Sequence, residues 1–199
     1  MTSGIGRGHI IIVMAPSGSG KKELESAARR AYPHMRSLVS CTTRQPRPGE
    51  VDGKDYHFLS RSDFEARIAA DDFVEWAEFS GNLYGTLKSE LTAALDAGEV
   101  VLADAEVQGV EQLRRIVPKE CMTVVYIDAG GWEALKGRVL RRAPISEEEL
   151  ALRHERYVIE SASQSLADVV IENFDGKLEE AQAQFVDLVG KIVHNTHTS

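Results

Sequence analysis

His9-Ile-Ile-Ile-Val-Met14, then Ala15-Pro-Ser-Gly-Ser-Gly-Lys-Lys22, then Glu23-Leu-Glu-Ser-Ala-Ala-Arg-Arg-Ala-Tyr32 is the stretch that decides the fold. A short β-branched run, a glycine loop and a helical stretch from Lys22 to Tyr32 stand in the order that a phosphate-cradling P-loop requires. In the pattern G-x-x-x-x-G-K-[ST], glycines let backbone N–H groups wrap phosphate oxygens, the lysine reaches the β- and γ-phosphates, and the hydroxyl holds Mg²⁺. Here Ala15 takes the first glycine position, Pro16, Ser17, Gly18 and Ser19 make the loop, and Gly20 and Lys21 are in place. Lys22 stands where the hydroxyl belongs. An ammonium cannot ligate Mg²⁺, and at about 4 Å with an effective dielectric of about 20 it would repel a divalent ion by roughly 8 kcal/mol.

Outward from this loop, strand patterns recur at Arg36 to Ser40, Val100 to Asp104, Met122 to Asp128 and Asp168 to Ile171. Helical patterns lie at Lys88 to Ala97, Val107 to Ile116, Trp132 to Arg141 and Leu178 to Val193. Strands alternating with helices predict an α/β fold, a parallel sheet covered by helices on both faces. The stretch from Thr42 to Gly85 breaks the rhythm with Pro46, Pro48, Gly49, Gly53, Gly81, Gly85 and short aromatic segments, and reads as an inserted, mostly β lobe. From Ala143 to Ser163 the chain is polar and helical, with Ser146 as N-cap and Glu147, Glu148 and Glu149 in the first turn, a candidate lid. The end, His194 to Ser199, reads as a loose tail.

The 199 residues, 43% hydrophobic, suffice for one globular unit with its own core. Net charge is −8, from 31 acidic and 23 basic residues, which argues against a nucleic-acid surface. Phosphate binding must then be local, and the basic residues cluster at Lys21 and Lys22, at Arg44 and Arg47, and at Arg138, Arg141, Arg142 and Arg153. The apolar run at the N-terminus is too short to span a bilayer and lacks a signal-peptide design, so a cytoplasmic protein without a membrane partner is expected. Cys41 and Cys121 show no paired spacing and read as buried thiols.

Residues Ser40-Cys-Thr-Thr-Arg-Gln-Pro-Arg-Pro-Gly-Glu-Val-Asp-Gly-Lys-Asp-Tyr-His-Phe58 resemble the monophosphate-binding stretch of guanylate kinases. Phe73-Val-Glu-Trp-Ala-Glu-Phe79, Gly81-Asn-Leu-Tyr-Gly-Thr86, Leu102-Ala-Asp-Ala-Glu-Val-Gln-Gly-Val110 and Val169-Val-Ile-Glu-Asn173 follow the family's order, so the resemblance runs from about residue 9 to about residue 192. It implies a P-loop core (residues 9–40, 87–140 and 165–195), a small mixed β lobe that binds GMP (41–86) and a helical lid (141–164), all in one unit, monomeric or homodimeric. It further implies phosphoryl transfer from ATP, with Mg²⁺, to GMP. Ser40, Arg44, Arg47, Tyr56 and Tyr84 match the family's phosphate-holding positions, where guanidinium forks and phenol donors suit the oxygens. Glu75 matches the guanine reader, because a carboxylate accepts from both the ring N–H and the exocyclic amine while adenine offers no such pair. Thr86 and Asp104 match supporting contacts to the nucleotide. Arg138, Arg142 and Arg153 match the arginines that close on the transferring phosphoryl group, whose charge spreads over equatorial oxygens. Arg153 also stands four residues after Glu149, the spacing of a surface helix pair. Asn173 matches the family's late asparagine on the ATP side.

Against the family pattern stand Lys22, Glu106 in place of a second Asp, and Phe174 after Asn173 where an acid is usual; Ala15 is within the family's range. Losing one transition-state contact at Lys22 would cost about 10²-fold to 10³-fold in rate. The other reading is a catalytically impaired module of the same fold that binds GMP or phosphopeptides.

Overall fold

The computed structural model describes residues 8–79, 81–105, 107–142 and 145–198, without the side chains of residues 79, 142, 197 and 198. The chain begins with β1 (His9–Met14), α1 (Lys21–Ala31), β2 (Arg36–Ser37), β3 (Cys41–Thr42) and β4 (His57–Phe58). It continues through α2 (Arg61–Ala69), β5 (Phe73–Phe79), β6 (Asn82–Leu87), α3 (Lys88–Asp96), β7 (Val100–Asp104) and α4 (Val107–Ile116). It closes with β8 (Met122–Asp128), α5 (Trp132–Arg142), α6 (Glu147–Ala162), β9 (Val169–Glu172) and α7 (Leu178–Thr198).

Five strands in the order β2, β7, β1, β8, β9 form a parallel sheet. Period-two alternation explains why β1 is apolar from Ile10 to Met14: Ile10, Ile12 and Met14 enter one core with Leu91, Leu95, Val110 and Leu113, from α3 and α4. Ile11 and Val13 enter the other with Leu24 and Ala28 of α1 and Phe185 and Val189 of α7. A strand buried on both faces has no polar side to show, as expected where helices cover both faces of a sheet.

A second, mixed sheet in the order β4, β3, β6, β5 is built from the segment rich in glycine and proline. Its small core joins Cys41, Phe64, Phe73 and Leu83, with the Phe64 and Phe73 rings stacked at 4.3 Å. Phe64 comes from α2, a helix within what the sequence presents as mostly β. Its start is signalled by Ser60, whose side chain accepts from the Asp63 N–H.

Three expectations are corrected. The segment from His194 onward is no loose tail, because α7 continues to Thr198, with Ile192 and Val193 against the second core and Thr196 bonded back to the Ile192 carbonyl. The strand expected to reach Ser40 pairs as a strand only at Arg36 and Ser37, after which the Leu38 N–H makes one more bond to Leu102 and the chain leaves for the second sheet. Cys41 is buried, and desolvation pushes its thiol up to about 11, whereas Cys121 is half-buried. The candidate lid forms as α6, with the Ser146 hydroxyl accepting from the Glu149 N–H. Among the described residues no helix is long and apolar enough to cross a membrane.

Candidate active site

The loop between β1 and α1 turns on glycines in the left-handed region. Gly20, at φ 90°, is the N-cap of α1, and a Cβ there would run into the Asn173 amide. That amide is buried and donates to the Ser19 carbonyl at 2.7 Å, so a residue at the end of β9 pins the loop across the sheet. The Ser17 N–H, within the loop, donates to Glu160 of α6 at 3.2 Å.

Lys21 begins α1, and its ammonium lies 2.8 Å from Asp104 at the carboxyl end of β7. Both side chains are partly exposed, so this pair contributes only about 0 to 1 kcal/mol and can be exchanged for a phosphate at little cost. Glu25, one turn along α1, is buried and hydrogen-bonded to Asp104; desolvation first, then the Asp104 charge, push its carboxyl up to about 7.

A cavity of about 240 Å³ between the two sheets is lined by Ala15, Lys21, Ser40, Tyr56, Glu75, Tyr84, Asp104 and Glu160. Of its fifteen lining residues, seven are ones to which the sequence assigned a site role. Tyr56 and Tyr84 meet edge to face at 6.1 Å, and burial, with the nearby Asp104 charge, raises the Tyr56 phenol. Glu75 is buried where the pairing of β5 with β6 shifts register, a bulge that turns this side chain inward. Thr86 is buried behind Ser40, their hydroxyls 3.5 Å apart. Arg44 is bonded to Glu50 at 2.9 Å and lies over the Tyr56 ring.

Three neighbouring hollows hold the rest. Arg47 shares one of about 400 Å³ with Pro16, Ser17, Arg153 and Arg156, facing the lid helix. Arg153 is bonded to Glu149 at 2.7 Å, the helix pair its spacing allows. Arg138 lines another, of about 330 Å³, with Gly18, Gly20 and Asn173; it bonds Asp175 at 2.8 Å and the Asn173 carbonyl at 2.6 Å, and holds the Asp175 carboxyl below the usual carboxylate range. Lys22 is exposed and lines the third with Glu25, Arg29 and Asp104. Glu106 and the Arg142 side chain lie outside the described residues.

Sequence reasoning passed over Glu25, Glu160 and Asp175. Glu149, Arg153 and Glu160 sit at helical intervals on one face of α6, which is the signal for Glu160. Glu25 falls one turn from Lys21, which puts it on the face of the P-loop lysine. Asp175 carried no periodic signal.

The guanylate kinase family model matches residues 7–191. Among curated relatives, the guanylate kinase of Rubrobacter xylanophilus is 40% identical over 187 residues, 94% of this chain and 96% of that protein. That of Thiobacillus denitrificans is 39% identical over 185 residues, 92% and 88%. Among solved structures, guanylate kinase from Anaplasma phagocytophilum superposes with a TM-score of 0.70 at 26% identity, over 92% of this chain and 85% of that one. A match of this length, spanning both sheets and the lid helix, makes the chain a member of the guanylate kinase family.

Proposed function

We propose that this chain transfers the γ-phosphoryl group of ATP to GMP, giving ADP and GDP, with residues 41–86 as the GMP-binding lobe and 141–164 as the lid. The observation that carries the reading is one cavity with Glu75 on one wall and Lys21 on the other. A purine reader and a phosphate-reaching lysine share the space that a monophosphate acceptor would fill.

In this reading Glu75 accepts from the guanine N1–H and amine, while Ser40, Arg44, Arg47, Tyr56 and Tyr84 take the monophosphate, with Thr86 behind Ser40 and Asp104 beside the sugar and phosphates. The backbone of residues 15–21 wraps the ATP phosphates, with Asn173 holding the loop's shape through Ser19. Lys21 leaves Asp104 for the β- and γ-oxygens. Arg138, Arg142 and Arg153 approach the equatorial oxygens of the group in transit, Arg153 exchanging Glu149 for phosphate. Each exchange replaces a carboxylate partner by a phosphate of greater charge, so the ion pairs of the resting site prepare its cations without holding them strongly.

Guanylate kinases use ATP with a divalent metal, here Mg²⁺. The donor set fits it in one way: Lys22 offers no oxygen, whereas Asp104, which lines the same hollow, presents a carboxylate beside the P-loop lysine. Asp104 is the side chain that would hold the ion. When bound, the ion neutralises charge on the β- and γ-oxygens.

ADP release coupled to a reporter, with GMP as acceptor and Mg²⁺ varied, tests the reading. GMP-dependent turnover is expected. GMP binding by calorimetry without any Mg-ATP affinity would instead favour a binding module.

A further inference from the structure

Glu75 is bounded on its outer side by α4, and two residues of that helix are shaped around it. Gly109 is buried, and a Cβ at that position would lie 2.7 Å from Glu75 Oε2 and 3.2 Å from its Cδ. Those atoms belong to the end of a side chain, so a methyl group there would push the carboxylate aside rather than break the helix. Gly109 has no positive φ to require glycine. In a helix interior glycine is the worse former by about 0.5 to 1 kcal/mol against alanine, and apart from Glu75 the nearest neighbour such a Cβ would meet is the Ala105 Cβ at 3.3 Å, a milder crowding.

One turn on, Gln112 binds the backbone of the next strand residue. Its Oε1 accepts from the Trp76 N–H at 3.2 Å and its Nε2 donates to the Trp76 carbonyl at 3.2 Å. The amide thus pairs with the outer edge of β5 as a neighbouring strand would. Gly109 and Gln112, three apart, lie on one face of α4. The glutamine sets the height of the helix against β5, and the glycine leaves the room that Glu75 then occupies.

We propose that Gly109 and Gln112 are specificity-determining positioning residues: through the close approach of α4 to β5 they aim the Glu75 carboxylate at the base edge of the acceptor. The inference rests on the reading of Glu75 as the guanine reader. Neither residue needs to touch the nucleotide; both act through Glu75.

The test compares GMP with IMP, which keeps the ring N–H and lacks the exocyclic amine, using the full chain. For Gly109→Ala the expected result is a KM for GMP raised about 10-fold, with kcat and the KM for ATP within about 2-fold, the pattern of lost acceptor binding. The preference for GMP over IMP in kcat/KM should fall by a similar factor, while Tm stays level or rises. Gln112→Ala should move the same ratio about 3-fold, and it decides the matter if Gly109→Ala proves unstable. Glu75→Gln is the control. If it leaves the GMP to IMP preference intact, the reading of Glu75 fails. If it collapses that preference while folded Gly109→Ala and Gln112→Ala both keep it, the reading stands and this inference is overturned.

Discussion

Burial against Asp104 leaves Glu25 with a carboxyl raised to about 7, and that has a consequence for stability. A group whose folded pKa exceeds its unfolded value binds a proton more tightly when folded, so its contribution is complete below the unfolded pKa, about 4.5, and is lost as pH rises through about 7. At about 1.4 kcal/mol per pH unit the loss reaches roughly 3 kcal/mol over that window. Glu25→Gln, which cannot ionise, should flatten this part of the curve; urea unfolding at pH 5, 6, 7 and 8 without added divalent cation checks it, and parallel curves for the two proteins would count against it. At Lys22 the expected outcome is opposite in kind. Lys22→Ser restores a hydroxyl beside Lys21 and should speed turnover or tighten Mg-ATP, by up to about 10²-fold to 10³-fold. Unchanged or slower turnover would show that the exposed lysine has a use of its own. At this scale the sequence was informative where residues stand in a motif: Lys21, Glu75, Tyr56, Tyr84 and Asp104 could all be named, and all line one cavity. Glu25 and Glu160 carry only a helical spacing from Lys21 and Arg153, which places them on a face without telling whether that face meets water or a buried partner.

Strands buried on both faces and helices with strong periodicity were legible almost to the residue, as at β1, β7, β8 and α4. Elements that owe their extent to a partner were not. The strand β2 stops at Ser37 because the chain turns toward the second sheet, and α7 runs on to Thr198 after its apolar pattern fades because no breaker intervenes. The helix α2 was hidden by its mixed composition, though Ser60 capping Asp63 and Phe64 entering the lobe's core are its marks. That core is small, and Phe64, fully buried and stacked on Phe73, dominates it. Phe64→Ala should cost about 3 to 5 kcal/mol, and because β5 carries Glu75 and β6 carries Tyr84, it should raise the KM for GMP more than that for ATP. Equal rises for both substrates would mean that the lobe and the P-loop core respond as one body.

Across the whole molecule, the second sheet, the P-loop and the lid helix meet around one set of cations, and four of them rest on carboxylates: Lys21 on Asp104, Arg44 on Glu50, Arg138 on Asp175 and Arg153 on Glu149. The Ser17 N–H resting on Glu160 completes the pattern, with an acid of α6 on the glycine loop. In the proposed reading, binding both nucleotides amounts to exchanging carboxylates for phosphates at several points together, and net charge −8 confines that exchange to the cleft. Of these resting pairs only Arg153 with Glu149 stands at a helical interval; Arg44 and Glu50, six apart, carry no periodic signal, and Lys21 and Arg138 find partners far along the chain that come together only in the fold. The central claim is that the cleft selects a guanine monophosphate and phosphorylates it. The most direct measurement is ADP release from Mg-ATP with GMP or AMP as acceptor, in the chain and in Glu75→Gln. Turnover with GMP far above AMP, and a loss of about 10²-fold or more in kcat/KM for GMP in the variant, is the predicted result. Equal turnover with AMP, or none above background with GMP, would contradict it.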